Sequence, residues 1–277
     1  MPFNRIKASL LRKTSPWESK VGGQPYLPQN TPWPTAPDGR ELFFLAQINF
    51  ADMPPLSPFP SQGILQFYLN DDDLYGMDFD DGENQDTFRV LYHRDLIRDE
   101  SQLHSGMPML RDYDDLLPHH PDESYPLVFE AAEEVAAMTD YRFYQHFGTD
   151  FFQQFGEQEW TVMDEFGKAV RPQGHKIGGY AYFTQDDPRR KEDPMLLLFQ
   201  LDSDQLMDLI RAMGVQPFLF PGKGPPPHWI FQGCCTIGTV CRRAVQRTSR
   251  SVLHRCFTGF GNPVYIWIVH RVNISRK

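Results

Sequence analysis

The feature that most constrains the fold of this chain is a repeat. Residues 19–29 read SKVGGQPYLPQ and residues 175–185 read HKIGGYAYFTQ. A lysine, a β-branched residue, a Gly-Gly pair and an aromatic three places later recur in register. A second pair follows in the same order. LFFLAQINF (42–50) answers LLLFQLDSD (196–204), with Gln47 matching Gln200, and Asn49 and Asp202 each two places further on. The offset is 156 residues at the first pair and 153 at the second. Two matches in one order at nearly one spacing indicate an internal duplication. The expected fold is therefore α+β, mainly antiparallel sheet, in two similar halves: residues 19–138, and a second from about 175.

The text between the repeats consists of short aromatic and β-branched runs bounded by Gly, Pro and Asp, which is the pattern of strands. It predicts strands near 42–50, 63–70, 87–93, 124–130, 179–184 and 195–202. Helices are predicted near 5–13, 109–117 and 139–155. In the first of these Ile6, Leu10 and Leu11 share one side, so residues 1–18 read as a helical lead. In the last, Thr139 is the expected N-cap. VFEAAEEVAAM (128–138) is ambiguous: Ala and Glu favour helix, while its place after Tyr125-Pro126 favours a strand edge.

The first copy continues with GILQFYL (63–69), an acidic stretch and FRVLYH (88–93). After Asp204 the second copy does not visibly follow, so the second half is expected to be incomplete. Composition changes at the same place. Residues 1–208 hold all 36 acids against 17 of the 27 Lys and Arg, while residues 209–277 hold ten bases and no acid. All four cysteines, Cys234, Cys235, Cys241 and Cys256, lie in this last quarter. A basic tail on an acidic body ordinarily marks a nucleic-acid or membrane arm. A change of reading frame accounts for it differently. Read from the third base of each codon, His228–Trp229 can encode only Leu, Trp229–Ile230 only Asp, and Cys234–Cys235 only Leu. The shifted text can read Leu-Asp-Phe-Ser-Arg-Val-Leu-Tyr, and FRVLY is what the first copy carries at 88–92. Upstream, Met213–Gly214 gives a forced Gly, with Phe-Phe-Ile permitted four codons later, as Gly63 precedes Phe67. Residues 205–277 therefore read as an aberrant basic tail, out of frame, and no nucleic-acid partner is expected.

No apolar run approaches the ~20 residues of a membrane-spanning helix, and the basic start lacks the continuous apolar stretch of a secretory signal. The first 208 residues contain no cysteine, hence no disulfide framework. A cytoplasmic protein with no membrane partner is expected.

GGQPYLP, the following TPWP, LFFLAQINF, GILQFYLNDDDLYG and FRVLYH resemble the YwqG-like bacterial family, a domain family of unknown function. HKIGGYAYFTQ with LLLFQLDSD resembles that family's second half, so the resemblance runs from about Ser19 to Asp204. It implies a cytoplasmic, β-rich protein and supplies no catalytic mechanism. The family's C-terminal pattern, roughly W-G-D-x-G-x-x-x-F-F-I and later F-S-x-V-L-Y-x-W-D-C, is absent as written and largely permitted in the shifted frame.

Several constellations invite a chemical reading. Gly22-Gly23 and Gly178-Gly179 could cradle a phosphate, but they lead into extended text rather than a helix N-terminus, so a bend between strands is the expected role. DDDLYGMDFDDGENQD (71–86) is rich in carboxylates without the spacing of a tight calcium loop. His119-His120 with Glu123 could approach zinc, yet lies between prolines and reads as an exposed loop. Cys234 and Cys235 lack the two-residue gap of a zinc knuckle. Trp33, with Trp17, Tyr26 and Phe44, could line a sugar or peptide groove, or simply pack. Gln47 and Gln200 each follow an apolar run, so each amide is buried and needs partners. Either each ties its strand to a loop, or the pair with Asn49 and Asp202 lines a cleft where the halves meet. No catalytic residue, metal or cofactor is assigned. The expected function is a non-enzymatic protein-interaction or binding module. The alternative is a small-molecule-binding protein or enzyme with its site between the halves.

Overall fold

The computed structural model describes residues 1–72, 75, 76, 84–108, 117–183, 187, 189, 195–207 and 209, with the backbone of strands at 216–221, 235–236, 241–244, 253–256 and 264–266. In chain order the strands are β1 (Pro2–Ala8), β2 (Lys20–Gly22), β3 (Phe43–Asn49), β4 (Ile64–Leu69), β5 (Phe88–His93), β6 (Ser124–Glu133), β7 (Lys176–Gly178), β8 (Met195–Leu201), β9 (Gln216–Pro221) and β10 (Cys235–Thr236). These ten form one sheet in the order β10-β9-β8-β7-β1-β6-β2-β3-β4-β5, and every pairing is antiparallel. β11 (Cys241–Ala244), β12 (Leu253–Cys256) and β13 (Val264–Ile266) make a separate small sheet. Between β6 and β7 lie α1 (Tyr141–Phe147), a 3-10 segment (Phe151–Gln158) and α2 (Glu159–Ala169). The chain is α+β and mostly antiparallel sheet.

The predicted helical lead over residues 1–18 is wrong, and its replacement is central. Residues 2–8 form β1, paired with β6 at seven positions on one side and with β7 on the other. An isolated nine-residue helix is marginal in water, whereas this segment satisfies its backbone on both sides. Ile6 enters the core while Arg5 and Lys7 face solvent. The same pairing settles the ambiguous 128–138 segment: β6 runs to Glu133 despite its helix-favouring Ala and Glu. The predicted helix at 139–155 is broken. Gly148, at φ +85°, ends α1, and the cap is Asp140, whose carboxylate accepts from the Arg142 N–H, rather than Thr139. The helix α2 was not anticipated; Val162, Met163 and Phe166 seat it on Phe143 and Phe152. The predicted strand at 179–184 is also displaced. Pairing stops at Gly178, and Ala181 and Phe183 leave the sheet to pack on Met195 and Leu197. The predicted helix near 109–117 falls almost wholly outside the described residues.

One apolar cluster joins both ends of the sheet. It contains Val21, Ala46, Ile48, Phe67 and Phe88 together with Ile177, Phe199 and Leu201. The Phe67 and Phe199 rings stack at 4.7 Å. Five strands separate β4 from β8 in the sheet order, and neighbouring strands lie about 4.8 Å apart. A flat sheet could not bring these rings together, so the sheet curls around the cluster.

Local geometry recurs at the offsets read from the sequence. Lys20 pairs with Gln47 and Lys176 with Gln200. The register of β3 on β4 slips between Phe44 and Ala46, and that of β8 on β9 between Leu197 and Phe199. Gly22 and Gly23 have φ of 68° and 67°, and Gly178 and Gly179 have 70° and 78°. Any other residue would be strained there, and a Cβ would also strike the Glu123 carbonyl at Gly22, Ser124 at Gly23, Leu56 at Gly178 and Glu134 at Gly179. Both glycine pairs sit where the backbone turns with positive φ.

The sheet does not stop at Asp204. QPFLFP (216–221), as written, forms β9 and pairs with β8 at six positions. Phe218 stands opposite Phe199 as Phe67 stands opposite Ala46, and Gly214 precedes Phe218 by the four places that separate Gly63 from Phe67. The written sequence therefore already supplies this strand, and no shifted Phe-Phe-Ile is needed for it.

Candidate functional site

Gln47 lies between Ala46 and Ile48, both in the core, so strand alternation turns it to the outer face of the sheet. Loops cover it there completely. Its Oε1 accepts from the Tyr26 N–H at 2.9 Å, and its Nε2 donates to the carbonyls of Pro16 and Glu18 at 2.7 and 2.8 Å. Gln200 makes the same bonds: Oε1 accepts from the Tyr182 N–H at 2.8 Å, and Nε2 donates to the Pro172 and Gly174 carbonyls at 3.1 and 2.8 Å. Each of these partners is 156 residues from its counterpart. The Asn49 N–H donates to Ser19 Oγ as the Asp202 N–H does to His175 Nδ1. Asn49 also donates from Nδ2 to the Trp17 carbonyl, and Asp202 accepts from the Gly174 N–H. Four strands separate β3 from β8 in the sheet order, so these four residues act in two separate places.

Gln66, which sequence reasoning missed, completes the network around Gln47. It stands opposite Gln47 and is equally buried. Its Nε2 donates to Gln47 Oε1 and to the Tyr26 carbonyl; its Oε1 accepts from Tyr68 and from His93 Nε2. The signal was an amide inside the apolar run ILQFYL, the same signal that exposed Gln47. Trp33 packs on Tyr68 and donates from Nε1 to the Leu42 carbonyl, which places it in a satellite core. His119 is buried rather than in an exposed loop. Its ring lies beside Gly22 and Phe43, within bonding distance of the Leu45 carbonyl. Only part of the acidic stretch 71–86 is described: Asn70 donates to Asp72, whose other oxygen accepts from the Gly76 N–H. Among the described residues no three His, Cys, Asp or Glu gather as a metal set.

Burial pushes the His93 pKa down to about 4 and also lowers that of His119. An unfolded histidine takes up its proton near pH 6.5, well above the folded His93. The stability that neutral His93 confers is thus complete above about pH 6.5 and is lost as pH falls towards 4. The full loss is about 3 kcal/mol, at ~1.4 kcal/mol per unit. Urea midpoints measured from pH 7 to 4.5 should fall more steeply for the native chain than for His93→Gln, which keeps a donor for Gln66; equal slopes would contradict this assignment.

A charged cluster lies where β6 leads into α1 and β7 into the loop that follows it. Lys176, fully buried by its surroundings, donates to both carboxylate oxygens of Glu134 at 2.9 and 3.1 Å. Burial lowers its pKa against the opposing pull of Glu134. Asp140 bonds Arg142 at 2.6 Å and Arg189 at 2.7 Å, and Arg189 also meets Asp187 at 2.7 Å. Burial alone would raise the Asp140 carboxyl, but the two guanidinium groups outweigh it and hold it below its ordinary value. The cluster ties the start of α1, the end of β6, β7 and the loop after it. Beside it a cleft of about 540 Å³ opens at the seam of β1 and β6, lined by Arg5, Glu133, Glu134, Val135 and Arg171 among others. None of Gln47, Asn49, Gln200 and Asp202 lines it.

The helical insert between β6 and β7 presents an aromatic ridge. Phe147, Phe151 and Phe155 run ring to ring at 4.8 and 6.0 Å. Phe147 is 48 % exposed and Trp160 75 %, with Tyr144 and Phe155 also exposed. Asp150, Glu157, Asp164 and Glu165 stand exposed on the same insert. Lys168 bridges Asp164 and Glu165. The sequence predicts a helix over 139–155 but not that Phe147 and Phe155 face water.

A family model described as "Domain of unknown function (DUF1963)" matches residues 19–220. No curated protein matches the chain.

Proposed function

The chain belongs to the DUF1963 family, and we propose that it is a non-enzymatic cytoplasmic binding module that holds a basic, apolar-anchored segment of a protein partner on its helical insert. The aromatic ridge carries this reading. Exposed contiguous apolar surface rimmed by polar groups marks interaction sites, and aromatic residues are enriched at interface cores. The surrounding carboxylates favour a cationic partner. The polar side chains that stand out in the sequence support it from the other side, because Gln47, Gln200, Asn49 and Lys176 are consumed in bonds within the fold. With the photo-crosslinker p-benzoylphenylalanine at position 160, a defined polypeptide should be captured in cells. Placing the probe at exposed Glu41, outside the insert, should not capture it. Equal capture at both positions, or none at 160, would remove the reading.

The cleft at the β1–β6 seam favours a second reading, a small-molecule site between the halves. Its volume of about 540 Å³ falls within the usual range of ligand pockets, and Arg5, Arg171 and Glu133 would suit a zwitterion.

The wider reading is of a YwqG-like bacterial protein that arose by internal duplication. Support comes from the identical amide bonds, matching register slips and paired glycine bends, at offsets of 156 and 153 residues. The β1 and β6 strands then correspond to each other and lie side by side at the centre of the sheet. We infer a change of reading frame beyond Pro221; support comes from the end of the family match at residue 220 and from the acid-free text that follows. The shifted Phe-Ser-Arg-Val-Leu-Tyr would supply the counterpart of β5. The coding nucleotides across codons 221–245 test this: any sequence that does not encode that run in the shifted register rules it out.

A further inference from the structure

The connection that matches the helical insert in position is the loop between β1 and β2. It carries Leu10 and Leu11, 75 % and 53 % exposed, followed at once by exposed Arg12 and Lys13. Two adjacent leucines in water are an apolar anchor; Arg12 is ion-paired with Glu18 and Lys13 adds an exposed positive charge. The ridge on the insert offers the complement: exposed aromatic rings beside exposed Asp150 and Glu157, while Lys168 bridges Asp164 and Glu165.

The two surfaces lie towards opposite ends of β1. β1 starts at the insert, where Pro2 stands opposite Glu133, and ends at the loop, where Ala8 stands opposite Leu127. Six residues of extended strand separate these ends by about 20 Å. We propose that the ridge of one copy is occupied by the Leu10–Lys13 loop of a second copy. This rests on the ridge being a docking surface and names its occupant. The contact is heterologous, loop to ridge, so each copy keeps one free loop and one free ridge, and association continues as a chain or closes as a ring.

Two differently tagged full-length copies would be co-expressed, with p-benzoylphenylalanine replacing Trp160 in the donor only. Irradiation should yield a donor–acceptor product whose linked peptide contains Leu10 and Leu11 of the acceptor. Leu10→Asp with Leu11→Asp in the acceptor should reduce that product at least tenfold. The same pair of changes in the donor should leave it unchanged, because the donor contributes its ridge. The proposal is overturned if the product survives the acceptor changes, falls equally with the donor changes, or links elsewhere in the acceptor. Capture of a different protein at 160 would overturn it while leaving the docking reading intact. Absence of any captured polypeptide would remove both.

Discussion

Asp140→Ala should be among the most damaging single substitutions in the chain. Arg189 is completely buried, and Asp140 supplies one of its two carboxylate partners while also holding Arg142 and capping α1. Removing one partner of a buried ion pair typically costs about 3–5 kcal/mol, because the remaining charge stays dehydrated. Whole domains retain only about 5–15 kcal/mol. The α1 cap is lost in the same change, which typically costs a further ~1 kcal/mol. Pulse proteolysis in urea should therefore show a large drop in midpoint. Asp38→Ala is the control: its bond to Arg40 lies on the surface, where such pairs contribute about 0–1 kcal/mol. Comparable shifts for the two variants would mean that the buried cluster contributes no more than a surface bridge.

Gln47→Leu should be of comparable severity, and Gln200→Leu somewhat milder. Leucine fills similar space but leaves the Tyr26 N–H, the Pro16 and Glu18 carbonyls and one Gln66 N–H without their partner. Each buried group orphaned in this way costs about 1–3 kcal/mol, so the expected loss is about 4 kcal/mol or more. Gln200→Leu orphans three groups rather than four. Both should lower the urea midpoint sharply, Gln47→Leu by the larger amount. A mild effect at one position and a severe effect at the other would show that equal geometry does not carry equal energy here, and would weaken the duplication reading.

Strands β3, β4, β5 and β8 are legible because their residues alternate or run apolar between Gly, Pro and Asp, and such patterns depend on local spacing alone. The glycine bends are legible for the same reason: few other residues can hold a positive φ. The burial of Gln47 and Gln200 follows from an amide set within an apolar run, and the same rule, applied evenly, would have found Gln66.

Residues 2–8 have no such signature. Their helical and extended forms are close in intrinsic preference, and pairing with β6 on one side and β7 on the other decides between them. Those partners lie more than a hundred residues away, so no window on the sequence contains them. The same holds for the charged cluster, where Glu134, Asp140, Lys176 and Arg189 are ordinary surface residues until the insert folds back over the sheet. It also holds for the ridge, since only packing determines which of many phenylalanines remain in water. The sequence by itself determined the strands, the bends and the buried amides, because each is a local requirement of backbone or solvation. The place of β1, the pairing of buried charges and the exposed aromatic surface were decided by tertiary structure, because each depends on which distant segment arrives beside it.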